Sequence, residues 1–305
     1  MSDLLTHWAV FEDIRRLAGI DPKMSRELVS IIERERQYAR LGSVSRSGVR
    51  FVPEILMRAR NLWPQAKGAG GEELALLSRK VAYGVGGIAH FPADYILKPL
   101  MSRLTGADWN ATHHEMQMGT ADAEALEAIQ EISVYYDLKV FREVYLSGRE
   151  EPFNAYLLSV EQSEPTKALE EFVTTLFQRA LLASHTLAPD TKNLDAWLDN
   201  LIGQVQPLYL SVERYVRVFQ SPDPEKSRQY GVDTEFYRAE DPAVAAARAV
   251  HRGERVGAER LEAAVAEGAN QGGYGKAVAL GLRSFRQASD FWEHRSEELP
   301  DVSQG

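Results

Sequence analysis

The residues best suited to chemistry are His90 and Asp94, which lie four positions apart in an otherwise apolar, small-residue segment spanning residues 83–99. Side chains at positions i and i+4 of a helix lie one turn apart on the same face. The pair is therefore placed either to bind one cation or to form a hydrogen bond. A metal site and a buried His–Asp hydrogen bond that closes a polar gap between helices both remain open on this pattern.

Three further histidines are candidate ligands. His7 falls at the start of a predicted helix, where the helix dipole disfavours a charged imidazole and so favours the neutral form that binds metals. His113 and His114 lie side by side in a polar loop, where two imidazoles present different faces to a site. Surface positions are the alternative for all three. Because the chain has no cysteine, any metal site must use His, Asp or Glu.

Helical periodicity dominates the chain, and the sequence therefore predicts an all-α, multi-helix bundle. A glycine-rich stretch, Lys67–Gly71, predicts a surface loop, and Thr6 is the expected N-cap of the first helix. The predicted helices span residues 6–18, 25–41, 53–63, 72–104, 120–146, 165–187, 190–219, 241–252, 254–269 and 276–294.

The helix at 72–104 is predicted to be the centre of the bundle. Gly84, Gly86 and Gly87 together cost a helix roughly 2–3 kcal/mol relative to alanine. Such a cost is tolerated where two backbones must approach closely. Pro92 removes the hydrogen bond to the carbonyl of Ile88, so the pattern predicts a kink or a break at that point.

Composition limits the function. With a net charge of −9, the 305-residue chain does not favour nucleic-acid binding, and its densest basic stretch, residues 40–60, predicts a solvated face. The N-terminus lacks a signal-peptide pattern and no run approaches the roughly 20 apolar residues of a transmembrane helix, so we expect a cytoplasmic protein. A proline-bearing polar stretch predicts a helical domain at 1–220 and a C-terminal helical extension at 221–305.

The spacing of His7, of His90 to Asp94, and of the histidine pair in an all-helical chain resembles that of the zinc-dependent phospholipase C and P1 nuclease superfamily. Its members are all-α, hold several zinc ions and hydrolyse phosphoesters of lipids or single-stranded nucleic acids. The resemblance covers residues 1 to about 160. It implies a zinc cofactor, Asp94 as the catalytic candidate, and a ligand set consisting of His7, His90, Asp94, His113, His114 and Glu124.

Two departures from the pattern of that family imply a reduced site. Lys98 stands where the family carries its next histidine, and an ammonium binds zinc only after losing its proton. The turn after Gly42 and Ser43 lacks the aspartate of the family. Lys98 and Arg46 are instead candidates for binding an anion in place of the missing metal charge.

The sequence thus predicts a metal-dependent, phospholipase C-like phosphoester hydrolase that acts on a phosphoester small molecule or a lipid headgroup. The alternative is a non-catalytic helical scaffold or interaction protein derived from the same fold. Long amphipathic helices between residues 165 and 295 favour a protein partner or a homo-oligomer.

Overall fold

The computed structural model describes residues 4–44, 52–112, 121–145 and 213–299. Within these ranges the regular elements are helical and none is a strand, which confirms the predicted all-α class. The predicted helix at 165–187 and most of that at 190–219 lie outside the described residues. The α-helices are α1 Leu4–Ile20, α2 Arg26–Arg34, α3 Arg36–Ser43, α4 Val52–Ala69, α5 Gly71–Thr105, α6 Ala123–Val140, α7 Pro224–Gln229, α8 Pro242–His251, α9 Ala258–Ala266 and α10 Gly273–Trp292. Two π-helical turns, Phe141–Tyr145 and Val232–Phe236, and a 3₁₀ turn, Glu267–Asn270, join them.

Helix α5 is the element against which most of the others pack. It contacts α3, α4 and α10 extensively, and α1, α2 and α6 to a smaller extent. Its middle, from Val81 to Asp94, is buried apart from half-buried Tyr83, so this helix is surrounded on all sides rather than on one stripe. One hydrophobic core contains residues from Leu4 to Trp292, and the segment after residue 221 contributes to it through α10.

The glycines of α5 allow the close approach of two helix backbones that the sequence predicts from their unfavourable helix propensity. A Cβ atom built on Gly86 would lie 1.9 Å from the carbonyl oxygen of Ala39, and one built on Gly42 would lie 2.1 Å from the carbonyl oxygen of Tyr83. Gly42 belongs to α3 and Gly86 to α5, so each helix supplies a glycine to the crossing. No side chain fits between these two backbones, and the crossing brings the C-terminal end of α3 against the middle of α5.

The structure corrects three local predictions. Of the kink or break predicted at Pro92, the break does not occur, because α5 runs continuously from Gly71 to Thr105 and packing by neighbouring helices outweighs one lost backbone hydrogen bond. The predicted loop at Lys67–Gly71 is reduced to Gly70, since left-handed φ angles at Gly70 and Gly71 turn the chain directly from α4 into α5. The predicted helix at 25–41 is divided at Glu35 into α2 and α3.

Among the residues that the structure describes, no helix combines the length and the apolar character needed to cross a membrane.

Candidate metal centre

Three of the predicted metal ligands converge. His7 from α1 meets His90 and Asp94 from α5, and all three side chains are buried. Nε2 of His7 lies 3.1 Å from Oδ1 of Asp94, and Nε2 of His90 lies 3.2 Å from Oδ2 of the same carboxylate. The two imidazole rings stack with their centroids 4.5 Å apart. Because α5 is continuous across Pro92, His90 and Asp94 stay on one face of the helix. The rings of His7 and His90 both contact the carboxylate of Asp94.

A backbone carbonyl sets the orientation of His90. Nδ1 of His90 lies 2.9 Å from the carbonyl oxygen of Ser43, which accepts only, so Nδ1 carries the proton and donates it. If the ring is neutral, Nε2 directs a lone pair towards the Asp94 carboxylate, which is favourable only when a cation lies between the two groups. If the ring is protonated, Nε2–H instead donates a hydrogen bond to that carboxylate. Metal-bound histidines commonly donate their second ring N–H in this way.

Sequence reasoning missed Ser43 because its carbonyl has no side-chain signature. It lies at the end of α3, next to the glycine crossing of Gly42 with α5. The glycines that allow the two helices to touch therefore also bring an acceptor to His90.

Asp94 carries the negative charge of the cluster. Burial by itself raises the pKa of this carboxyl. When the His7 and His90 rings are protonated, their hydrogen bonds and positive charges outweigh burial and hold the pKa of Asp94 well below its ordinary value. The carboxylate is then ionised and is the anion on which the neighbouring cationic groups converge.

Lys98 already places one positive charge on this carboxylate. Its Nζ lies 2.5 Å from Oδ2 of Asp94 and 4.5 Å from the centroid of the Trp109 ring. The side chain is 19% exposed, so this ion pair is mostly shielded from water. An ammonium between a carboxylate and an indole face is well stabilised. The residue predicted to bind an external anion thus binds an anion of its own chain in this structure.

A second buried carboxylate, Asp137 of α6, holds the start of α1. The backbone N–H and the hydroxyl of Thr6 both donate to Oδ1 of Asp137, at 2.8 and 2.7 Å, and the hydroxyl of Tyr215 donates to Oδ2. Thr6 is therefore not the N-cap of α1, which begins at Leu4, but a link from α1 to α6. Sequence reasoning missed Asp137, although a carboxylate in the mostly apolar stretch 132–138 was a usable signal.

Of the remaining predicted site residues, Glu124 alone lies within the part of the chain that the structure describes. His113, His114 and Arg46 lie outside the described residues. Glu124 is exposed in the first turn of α6 and is not grouped with the three convergent residues.

The donor set of His7, His90 and Asp94 fits a zinc ion. One ligand atom from each residue can be chosen so that all lie within 4.8 Å of one another. Zinc bonds to imidazole nitrogen and carboxylate oxygen are about 2.0–2.2 Å long, which sets neighbouring ligand atoms of a tetrahedral site about 3.3–3.5 Å apart. The 3.1 Å separation joins His7 to Oδ1 and the 3.2 Å separation joins His90 to Oδ2, so the two values belong to different oxygens of the carboxylate and are hydrogen-bond distances. The feature that fits zinc is therefore the chemistry of the three convergent donors. The feature that departs from a metal site is the ammonium of Lys98 on the same carboxylate.

Comparisons of the chain with protein-family models, with curated proteins and with solved structures found no match.

Proposed function

We propose that the protein is a metal-dependent phosphoester hydrolase with a reduced metal site. The observation that carries the proposal is the convergence of two imidazoles, His7 and His90, on the buried carboxylate of Asp94. Three protein ligands of these types, with a further position open, form many catalytic zinc sites. The proposed substrate is a phosphoester small molecule or a lipid headgroup, and the proposed location is the cytoplasm.

Each side chain has a defined part in this proposal. His7, His90 and Asp94 would hold the ion, and the Ser43 carbonyl keeps Nε2 of His90 directed at it by accepting the proton of Nδ1. Zinc, when bound, lowers the pKa of a water ligand to about 7 and polarises a phosphoryl oxygen. Lys98 would exchange the carboxylate for a phosphate oxygen of the substrate, because ammonium groups form strong, charge-assisted hydrogen bonds with phosphate.

Replacing a ligand is expected to abolish zinc binding. Elemental analysis of purified, tag-free protein should find about one zinc per chain in the wild type, and none in His90→Gln or Asp94→Asn. Both substitutions keep the size of the side chain but remove a zinc donor. His251→Ala, which removes a histidine of α8 outside the cluster, is the matched control and should keep the metal.

The same proteins then test turnover. Wild type and His251→Ala should hydrolyse bis(p-nitrophenyl) phosphate, and a chelator should abolish that activity. A wild-type protein that stays metal-free after incubation with zinc and dialysis would refute the hydrolase proposal. Circular dichroism of each variant separates loss of the metal from loss of the fold.

A second candidate function is favoured by the Lys98–Asp94 ion pair. A buried carboxylate that is already paired with an ammonium needs no metal for charge balance. In this alternative the protein is a non-catalytic helical scaffold that binds a protein partner or a second copy of itself. Light scattering that finds a defined oligomer of metal-free protein, with no phosphodiester turnover, would support this alternative.

Removing the charge of Lys98 is expected to raise zinc affinity at least tenfold. Two cations compete for Oδ2 of Asp94, and Lys98→Gln leaves that oxygen to the metal. The measurement is a competition titration of zinc against a chelating dye at pH 7. Lys80→Gln, which removes an exposed lysine on the same helix, should leave the affinity at the wild-type value. Equal affinities of Lys98→Gln and wild type would contradict the competition.

A further inference from the structure

A second candidate site lies in a cleft of about 490 Å³ between the C-terminal part of α5, the turn Val232–Phe236 and the start of α10. This volume falls in the range of about 300–1,000 Å³ typical of small-molecule sites. One wall is apolar and consists of Ile96, Pro99 and Leu100. The lining of the cleft shares no residue with the His7, His90 and Asp94 cluster, so it is a separate feature of the molecule.

Positive charge exceeds negative charge in this cleft. Arg103, Arg238 and Lys276 line it, together with one carboxylate, Glu235. Arg103 pairs with Glu235, and Arg238 pairs with Asp241, which does not line the cleft. The cleft is thus locally positive in a chain with a net charge of −9.

Lys276 is the cation without a counter-ion. Its side chain is half-buried, and within the described part of the chain it makes no hydrogen bond or ion pair. The Arg103–Glu235 pair is exposed, with 59% and 39% of the two side chains accessible, and exposed pairs contribute little to stability. Arg103 can therefore exchange Glu235 for another anion at little cost.

The side chains, and not the end of the helix, provide the positive charge that is available in this cleft. At the start of α10, the N–H of Gly272 already donates to Oδ2 of Asp241 at 2.8 Å. The amide of that helix end thus faces a buried carboxylate of the chain itself. What remains for a ligand is the ammonium of Lys276, the guanidinium of Arg103 and the apolar wall.

We propose that this cleft binds a small organic phosphate. Lys276 and Arg103 would contact the phosphate oxygens, since both form charge-assisted hydrogen bonds to phosphate and neither would have to leave a buried partner. Ile96, Pro99 and Leu100 would contact the organic part of the ligand. The apolar wall is what distinguishes an organic phosphate from inorganic phosphate in this proposal.

Calorimetric titration of the full chain with phenylphosphonate tests the site. This probe has a phosphorus–carbon bond in place of a phosphoester, so the proposed hydrolase activity cannot consume it. We expect Lys276→Gln to weaken binding at least tenfold and Lys80→Gln, an exposed lysine of α5, to leave it unchanged. Leu100→Ser should weaken phenylphosphonate binding but leave the affinity for inorganic phosphate at its wild-type value. Matching thermal midpoints establish that the variants are folded.

Three outcomes would overturn the assignment of the anion to this cleft, and a fourth would overturn the role of its apolar wall. The first is no saturable binding of phenylphosphonate by the wild type up to about 10 mM, an affinity too weak for a specific site. The second is equal binding by Lys276→Gln and Lys80→Gln. The third is loss of binding in Asp94→Asn with retention in Lys276→Gln, which would place the anion at the metal cluster. Tight binding of inorganic phosphate alone would contradict the role of the apolar wall. A protein that binds no zinc but still binds phenylphosphonate would contradict the hydrolase proposal and leave the cleft proposal intact. The two proposals can therefore be refuted independently.

Discussion

Gly86→Ala is expected to lower the free energy of unfolding by more than about 3 kcal/mol. The new methyl group would lie 1.9 Å from the carbonyl oxygen of Ala39 and 2.6 Å from its carbonyl carbon. Both are backbone atoms, so no rotamer change relieves the clash and α3 must move away from α5. Overpacking a well-packed core typically costs about 1–3 kcal/mol, and a backbone clash lies at the upper end of that range or beyond it.

Urea unfolding followed by circular dichroism measures this loss. The matched control is Gly68→Ala in α4, where a Cβ atom would meet nothing within 4 Å. Alanine is favoured over glycine in a helix by up to about 1 kcal/mol, so this control should be as stable as the wild type or slightly more stable. If Gly86→Ala unfolds at the same urea concentration as Gly68→Ala, the two helices do not cross as closely as described.

Weaker binding of zinc at the proposed metal centre is a second expected consequence of the same substitution. The crossing of α3 with α5 brings the carbonyl of Ser43 to 2.9 Å from Nδ1 of His90. Moving α3 away removes the acceptor that holds the ring, and loss of such a partner typically lowers metal affinity about 10–100-fold. Where folded Gly86→Ala protein can be obtained at low temperature, its zinc affinity should fall in that range.

The features that could be predicted from the sequence are those set by position along a single helix. The spacing of His90 and Asp94 is enough to place them on one face, and three glycines are enough to indicate a close helix crossing. The same reasoning extends to Lys98, four positions beyond Asp94, whose ammonium lies on that carboxylate. Treating Lys98 only as a missing ligand overlooked this pairing at i and i+4.

Apart from the meeting of His7 with His90 and Asp94, which the family resemblance implied, features that depend on the partners of each helix could not be predicted. The carbonyl of Ser43 reaches His90, and Asp137 reaches Thr6, across 47 and 131 residues of chain. No local pattern contains such contacts, because they follow from how the helices pack. The basic stretch at 40–60 is a further example: its spacing predicts a solvated face, yet the side chain of Arg40 is 11% exposed and that of Arg60 is 9% exposed. Both guanidiniums have partners supplied by other helices.

Glu12→Gln is expected to cost about 3–5 kcal/mol of the free energy of unfolding at pH 7, the loss typical of breaking a buried ion pair. Glu12 of α1 is fully buried and accepts hydrogen bonds from three arginines. Nε of Arg15 lies 3.0 Å away, Nε and Nη2 of Arg36 both lie 2.9 Å away, and Nε of Arg40 lies 2.6 Å away. A neutral amide would leave these guanidiniums around a group that no longer balances their charge. The carboxylate therefore fastens α1 to α3, the helix that also supplies the acceptor for His90.

The pH dependence of the stability lost in Glu12→Gln distinguishes the effect of the carboxylate charge from the effect of the side-chain shape. Burial by itself raises the pKa of Glu12, but the charges of Arg40, Arg15 and Arg36 outweigh burial and lower the pKa in the folded protein. A lowered pKa means that the stabilisation is complete above about pH 4.5 and is lost as the pH falls towards the folded value. The difference in stability between wild type and Glu12→Gln should therefore be constant from about pH 5 to 7 and should narrow below about pH 4.5.

Glu33→Gln is the control: it removes a half-exposed partner of Arg15 and should lower the free energy of unfolding by less than about 1 kcal/mol. A difference that stays constant down to pH 3 would mean that Glu12 acts through its shape and hydrogen bonds, and not through its charge.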